Sequence, residues 1–185
     1  VGFQQMRDAG GELHDLEAAG DRALGVRQHL AVLRRHQVRE LVLRDMQIKP
    51  CTGCFACWVK TPGICSIDDD GRKVAREFIA ADHVVIASPL IMGFISSLTK
   101  NAFDRNIPLV HPHLEAVDGE THHKKRYDRY PAISFLLQRE SFTDDEDISI
   151  VTDIFNRESI NLRSTLGFIR FIDTPVKEVL DAIDV

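Results

Sequence analysis

Residues 82–93 read DHVVIASPLIMG, and this stretch decides the fold. Positions 84–87, Val-Val-Ile-Ala, are apolar without a break. A strand with one wet face alternates. An unbroken run is covered on both faces, the habit of a parallel sheet held between two layers of helices. Working outward, the neighbouring segments agree. Asp68, Asp69 and Asp70 supply a cap and negative charge for a helix predicted over 71–81. Beyond the loop through Gly93, a second helix is predicted over 96–105. Apolar strands are expected over 38–43, 131–138 and 166–172. Thr143 and Glu146 frame a capping box that opens a long helix to about residue 163. Pro175 opens a final helix at a position where its missing N–H is harmless. Upstream, the apolar spacing over 21–36 predicts a helix with one buried face, while residues 1–20 are polar and lack a period. Helix and strand therefore alternate, which predicts an α/β fold with a doubly wound parallel sheet.

The chain has 185 residues, 44% hydrophobic and 28% charged, which suits one globular domain over 1–185. Its net charge of −5 gives no general attraction to nucleic acid. The longest apolar runs are too short to span a bilayer, so no membrane role is expected. No secretory pattern opens the sequence, and a cytoplasmic, reducing location is the expectation. There, clustered cysteines point to metal or redox use rather than to disulfides.

All four cysteines, Cys51, Cys54, Cys57 and Cys65, fall within fifteen residues. Three thiolates at intervals of three can converge on one four-iron cubane, the fourth arriving after a turn at Pro62 and Gly63. Structural zinc favours two separated Cys-x2-Cys pairs instead. Phe55 and Trp58 are placed to shield the thiols. Spacing fixes reach and not occupancy, so a second reading stays open, in which the thiols pack as small apolar groups. Residues 106–130 read as an irregular arm carrying His111, His113, His122 and His123 with Lys124, Lys125, Arg126 and Arg129. The cations argue against a metal site, and the arm is expected to lie at the surface against a second subunit. Lys100 and Arg105 are expected on a solvated helix face, and Asp144–Asp147 as a helix cap.

Two motifs carry a family resemblance. The first is IKPCTGCFACW over 48–58, followed by KTPGIC over 60–65 and by Asp68–Asp70. The second is residues 87–105, where Pro89, Gly93, Ser96, Lys100, Asp104 and Arg105 hold family positions and Ile91 replaces the usual aromatic. Together they resemble the flavodoxin-like NAD(P)H-dependent FMN reductases, and among them the branch that includes the iron–sulfur flavoproteins. The resemblance implies strand order 2-1-3-4-5, with FMN at the carboxyl ends of the strands. It implies a cofactor loop of Ser88, Pro89, Leu90, Ile91, Met92, Gly93 and Ser96, with Leu90, Ile91 and Met92 packing against the flavin ring. It further implies NAD(P)H as co-substrate, a small electron acceptor such as a quinone, a flavin or a metal ion, and a homodimer or homotetramer. For the four cysteines it implies either a [4Fe–4S] cluster or a cluster-free loop beside the flavin. The family's first strand and hydroxyl-rich phosphate loop have no counterpart in residues 1–20. Two further functional readings are an electron carrier between ferredoxin-like partners and an interaction module without flavin.

Overall fold

The computed structural model describes residues 37–117 and 119–183; the helix expected over 21–36 lies outside them. A sheet of four strands has the order β2-β1-β5-β6, formed by β1 (His83–Ile91), β2 (Phe94–Ile95), β5 (Ala132–Gln138) and β6 (Thr165–Phe171). β1, β5 and β6 run parallel, with Val84 opposite Ile133, Ile86 opposite Phe135, and Phe135 opposite Ile169. β2 folds back antiparallel on the end of β1, pairing Leu90 with Ile95 and Ile91 with Phe94.

Among the described residues five α-helices accompany the strands: α1 (Ala56–Val59), α2 (Gly71–Ala80), α3 (Ser97–Asp104), α4 (Asp145–Asn161) and α5 (Val176–Ile183). They bury two separate cores, one on each face of the sheet. Ile133, Phe135 and Leu137 meet Phe78 of α2 and Val151 and Phe155 of α4; the Phe135 and Phe155 rings stack at 3.7 Å. On the other face Leu136 and Phe168 meet Val179 and Leu180 of α5. Odd and even residues of β5 thus serve opposite layers, the physical content of an unbroken apolar strand. The expected α/β architecture, with a parallel sheet and helices on both faces, is present.

Two expectations are corrected. Residues 38–43 form no strand: the segment turns into a 3-10 turn at Leu43–Asp45, held by the local bonds Asp45 N–H to Val42 O and Met46 N–H to Leu43 O. A strand needs a ladder partner, and no described strand pairs with this segment. The described residues show three parallel neighbours, β1-β5-β6, of the five strands in the implied order. The deepest strand is β5, where Ile133, Ser134, Phe135 and Leu137 are fully buried, whereas Val85 of β1 is 37% exposed. Over 83–89, β1 pairs only with β5 among the described residues.

The arm expected to be irregular is largely a hairpin. A 3-10 turn at Ile107–Leu109 leads into β3 (Val110–Val117), which pairs antiparallel with β4 (Glu120–Lys125) through a turn containing Gly119 at φ +84°. It packs on its own chain. Glu120 bridges to Arg157, Glu115 to Arg163, and His122, which is buried, meets Asn161 and Glu120 at 3.2 Å each.

Candidate functional site

The site is organised by one buried cation. Arg105, at the C-terminal end of α3, is 1% exposed, against the expectation of a solvated residue. Its two terminal nitrogens fork onto the Asp69 carboxylate at 2.9 and 2.8 Å. They also donate to the carbonyls of Lys49 (2.6 Å) and Ile67 (3.3 Å) and to Cys65 Sγ (3.4 Å). This planar fork is geometry that lysine cannot copy. Asp69 answers with more than the ion pair, accepting the Lys49 N–H at 2.8 Å and the Gly71 N–H at 2.9 Å. The Arg105 guanidinium beside it holds the Asp69 carboxyl down to about 2. Burial works against the charge on Arg105, but the bonds to Asp69 and the neighbouring Cys65 outweigh it and raise its pKa. α2 begins at Gly71 because the guanidinium lies there: a Cβ at Gly71 would stand 2.7 Å from Arg105 Cζ.

Beside Arg105 the cysteine loop lines an open cavity of about 310 Å³. Cys51, Cys54, Cys57 and Cys65 all line it, with Ser66 and Arg105 among the other walls. Local geometry bends the loop to fit. Gly53 sits at φ +64°, and Phe55 caps α1 at φ +54°, a left-handed conformation that costs a bulky residue about 1–3 kcal/mol. Such strain persists only where the surroundings enforce it, and it gathers at ligand sites. Cys57 senses the other three thiols. Burial pushes the Cys57 thiol up, and Cys65, Cys51 and Cys54 push it the same way. Cys54 is held below its ordinary value, chiefly by the Ser66 hydroxyl 3.4 Å away. Among the described residues no three His, Cys, Asp or Glu side chains are gathered tightly enough to share a single metal ion. A cubane makes a different demand. Its thiolates bind the corners of a cube, so they must stand apart around a hollow, and four cysteines on the walls of one cavity fit that demand.

Phe55 lines the cavity but is itself exposed, and it stacks on Trp58 at 5.3 Å. Trp58 has a different task from shielding. Its indole N–H donates to Val110 O at 3.0 Å and to Ile107 O at 3.2 Å, tying the cysteine loop to the root of the hairpin.

The loop chosen as the flavin site divides in two. Ile91 and Met92 are exposed, Met92 to 86%, and Met92 and Gly93 take positive φ of 51° and 76°. Ser88, Leu90 and Ser96 turn inward. Leu90 is fully buried in the main core and cannot pack on a ring outside it, which corrects that expectation. Ser88 Oγ accepts from Ser96 N–H at 3.0 Å and from the Thr99 hydroxyl at 3.2 Å. Ser96 in turn caps α3 by accepting from Thr99 N–H. Pro89 is half-buried between them. The Met92 N–H donates to the Glu140 carboxylate at 2.9 Å. The loop therefore presents backbone and Met92 at the carboxyl end of a parallel strand, where ligands of open α/β sheets collect.

Sequence reasoning named Arg105 but placed it on a solvated face, and it did not find Ser66 or the Asp69 clamp. A signal existed in Asp68–Asp70, three acids where one would cap the helix.

Comparison with known proteins agrees with this geometry. The family model described as NADPH-dependent FMN reductase matches residues 21–123. An iron–sulfur flavoprotein of Archaeoglobus fulgidus is 38% identical over 71 residues, covering 38% of this chain and 34% of the relative. One from Methanocaldococcus jannaschii is 32% identical over 92 residues, 49% of this chain and 47% of the relative. A third, from Methanosarcina thermophila, is 28% identical over 89 residues, 48% and 46% respectively. The matched part thus spans between a third and a half of the length of these curated relatives. No helix among the described residues is long and apolar enough to cross a membrane. With its parallel sheet, its strand-end loop and a match over residues 21–123, the chain belongs to the NADPH-dependent FMN reductase family.

Proposed function

We propose that this chain serves an FMN-dependent oxidoreductase of the iron–sulfur flavoprotein kind, taking electrons from NAD(P)H and passing them to a small acceptor. The observation that carries the proposal is the single cavity walled by Cys51, Cys54, Cys57 and Cys65 around a buried cation. These residues would hold a [4Fe–4S] cluster, and Ile91, Met92 and Gly93 would lie along the edge of FMN. When bound, the flavin takes two electrons from a nicotinamide and the cluster handles electrons singly, so the pair joins a two-electron donor to one-electron traffic.

The chain's own part is positioning. α3 joins the two segments. Its N-terminal cap, Ser96, is fastened to the strand-end loop through Ser88, and its C-terminal end delivers Arg105 to the cysteine cavity. From Ser96 to Arg105 the helix advances about 13 Å along its axis. Asn101, on the same helix, donates to Ile48 O at 2.6 Å and fixes the entry to the loop. The backbone that faces the flavin and the backbone that carries the thiols are thus registered on one short rod.

A cluster-free FMN reductase is the second reading, favoured by the absence of a tight metal-ligand group among the described residues. An anaerobic visible spectrum separates the two. Flavin bands with a broad brown absorbance support the first, flavin bands alone the second, and a colourless protein contradicts both. Self-association, in which the hairpin meets a second subunit, belongs to the same proposal.

A further inference from the structure

Arg105 has more partners than a structural ion pair needs. Asp69 alone would neutralise it, yet one of its nitrogens also reaches Cys65 Sγ at 3.4 Å, and its Nε finds no hydrogen-bond partner among the described residues although it is buried. The side chain lines the cysteine cavity and is 1% exposed. A second guanidinium lies close by and behaves differently. Arg72 donates to the carbonyls of Cys65 (2.8 Å) and Ser66 (3.3 Å), pairs with Asp68 at 2.7 Å, and keeps 35% of its side chain in solvent. One arginine addresses the sulfur from a dry position, while the other addresses the backbone from a wet one.

We propose that Arg105 is a positioning and potential-setting residue for the cysteine site: its buried positive charge and its N–H bond to Cys65 Sγ raise the reduction potential of a cluster held there. This rests on the cluster reading of the proposed function. The physical argument concerns charge. Reduction adds one electron to a centre whose thiolates already repel one another, and a fixed cation in a low-dielectric wall favours the more negative state. A hydrogen bond to a ligating sulfur acts in the same direction. Asp69 opposes both effects, since its carboxylate stands 2.8 Å from the guanidinium and is 6% exposed. The poise of the site is then the balance of two buried charges of opposite sign. The exposed Arg72 is screened by water and counterions and contributes little to it.

The test is a redox titration of the full chain, reconstituted anaerobically with iron and sulfide and followed by EPR. Arg105→Gln should move the midpoint potential to more negative values and Asp69→Asn to more positive ones. Arg72→Gln, which loosens the same loop, should leave it unchanged, and Arg105→Lys, which keeps the charge and loses the fork, should shift it less than Arg105→Gln. A purely structural role lowers iron content in these variants without giving shifts of opposite sign; no shift, or shifts in one direction, overturns the proposal. If Arg105→Gln fails to take up iron, the unmutated chain carries the test. With 15N-labelled arginine, pulsed EPR of the reduced protein should show an arginine nitrogen coupled to the unpaired spin, and that coupling should survive Arg72→Gln. Its absence overturns the proposal. A chain that takes up no iron overturns this proposal together with the cluster reading, whereas an iron-loaded chain with unmoved potentials overturns this one alone.

Discussion

The Asp69–Arg105 pair decides how the cysteine loop is held, and single residues around it test that. Removing one partner leaves a buried charge uncompensated, which costs about 3–5 kcal/mol. Asp69→Ala should lose stability of that order in urea unfolding, while Asp68→Ala, at an 85% exposed side chain, should lose less than about 1 kcal/mol. The pair also has a pH signature. The Asp69 carboxyl is held at about 2, below its ordinary value, so its contribution is complete above the unfolded value near 4. That contribution, about 2 kcal/mol, is lost as pH falls from about 4 to about 2. Acid titration followed by Trp58 fluorescence should show a transition in this window, and Asp69→Asn should remove it. Gly71→Ala gives a sign test. In an open helix the change stabilises by up to about 1 kcal/mol, but here the new Cβ meets a pinned guanidinium at 2.7 Å, and destabilisation is expected. None of this was legible locally. An arginine at a helix end is normally solvated, and only the approach of Asp69, thirty-six positions earlier, makes Arg105 a core residue.

At the scale of elements, local chemistry was readable where it is self-contained. α4 begins with a capping box as expected, but on Asp144 and Asp147, one residue later than the Thr143 and Glu146 pattern. The shift follows from Thr143 Oγ1, which accepts the Glu140 N–H instead. Asp144→Ala should cost about 1 kcal/mol in thermal or urea unfolding, and Glu146→Ala almost nothing. The strands β1, β5 and β6 were visible because continuous apolar runs have few other homes. The β3–β4 hairpin was not, because β4 is polar throughout and β3, although Val110, Pro112, Leu114 and Ala116 alternate with His111, His113 and Glu115, carries a proline inside the run. The missed signal was the Asp118-Gly119 dipeptide, a common two-residue hairpin turn. The strand-end loop makes its own prediction. At Gly93 a side chain faces both φ +76° and Asp147 Oδ1 3.2 Å from the Cβ position. Gly93→Val should therefore distort the loop and reduce the FMN retained after gel filtration. Unchanged flavin content in a folded variant contradicts the placement of the flavin there.

At the scale of the molecule, α3 links two segments that lie on either side of β1 in the sequence. Cys51–Cys65 lies before β1 and the Met92 loop after it, and α3 returns from the loop to the cysteines. The alternation of helices and strands announced the parallel sheet, and the two motifs announced the family, but the cavity at the cysteines is built on Arg105 as well. The root of the hairpin anchors the cysteine loop through Trp58, while Leu114 in β3 is 55% exposed. If that side meets a second subunit, Leu114→Asp should lower the mass measured by light scattering, and an unchanged mass contradicts it. The central claim is that the four thiols hold one cluster, and the direct measurement is iron and acid-labile sulfide on the anaerobically reconstituted chain. About four iron atoms and four sulfides per chain, falling steeply in Cys57→Ser, is the expected result. Stoichiometry near zero in a folded chain would contradict it.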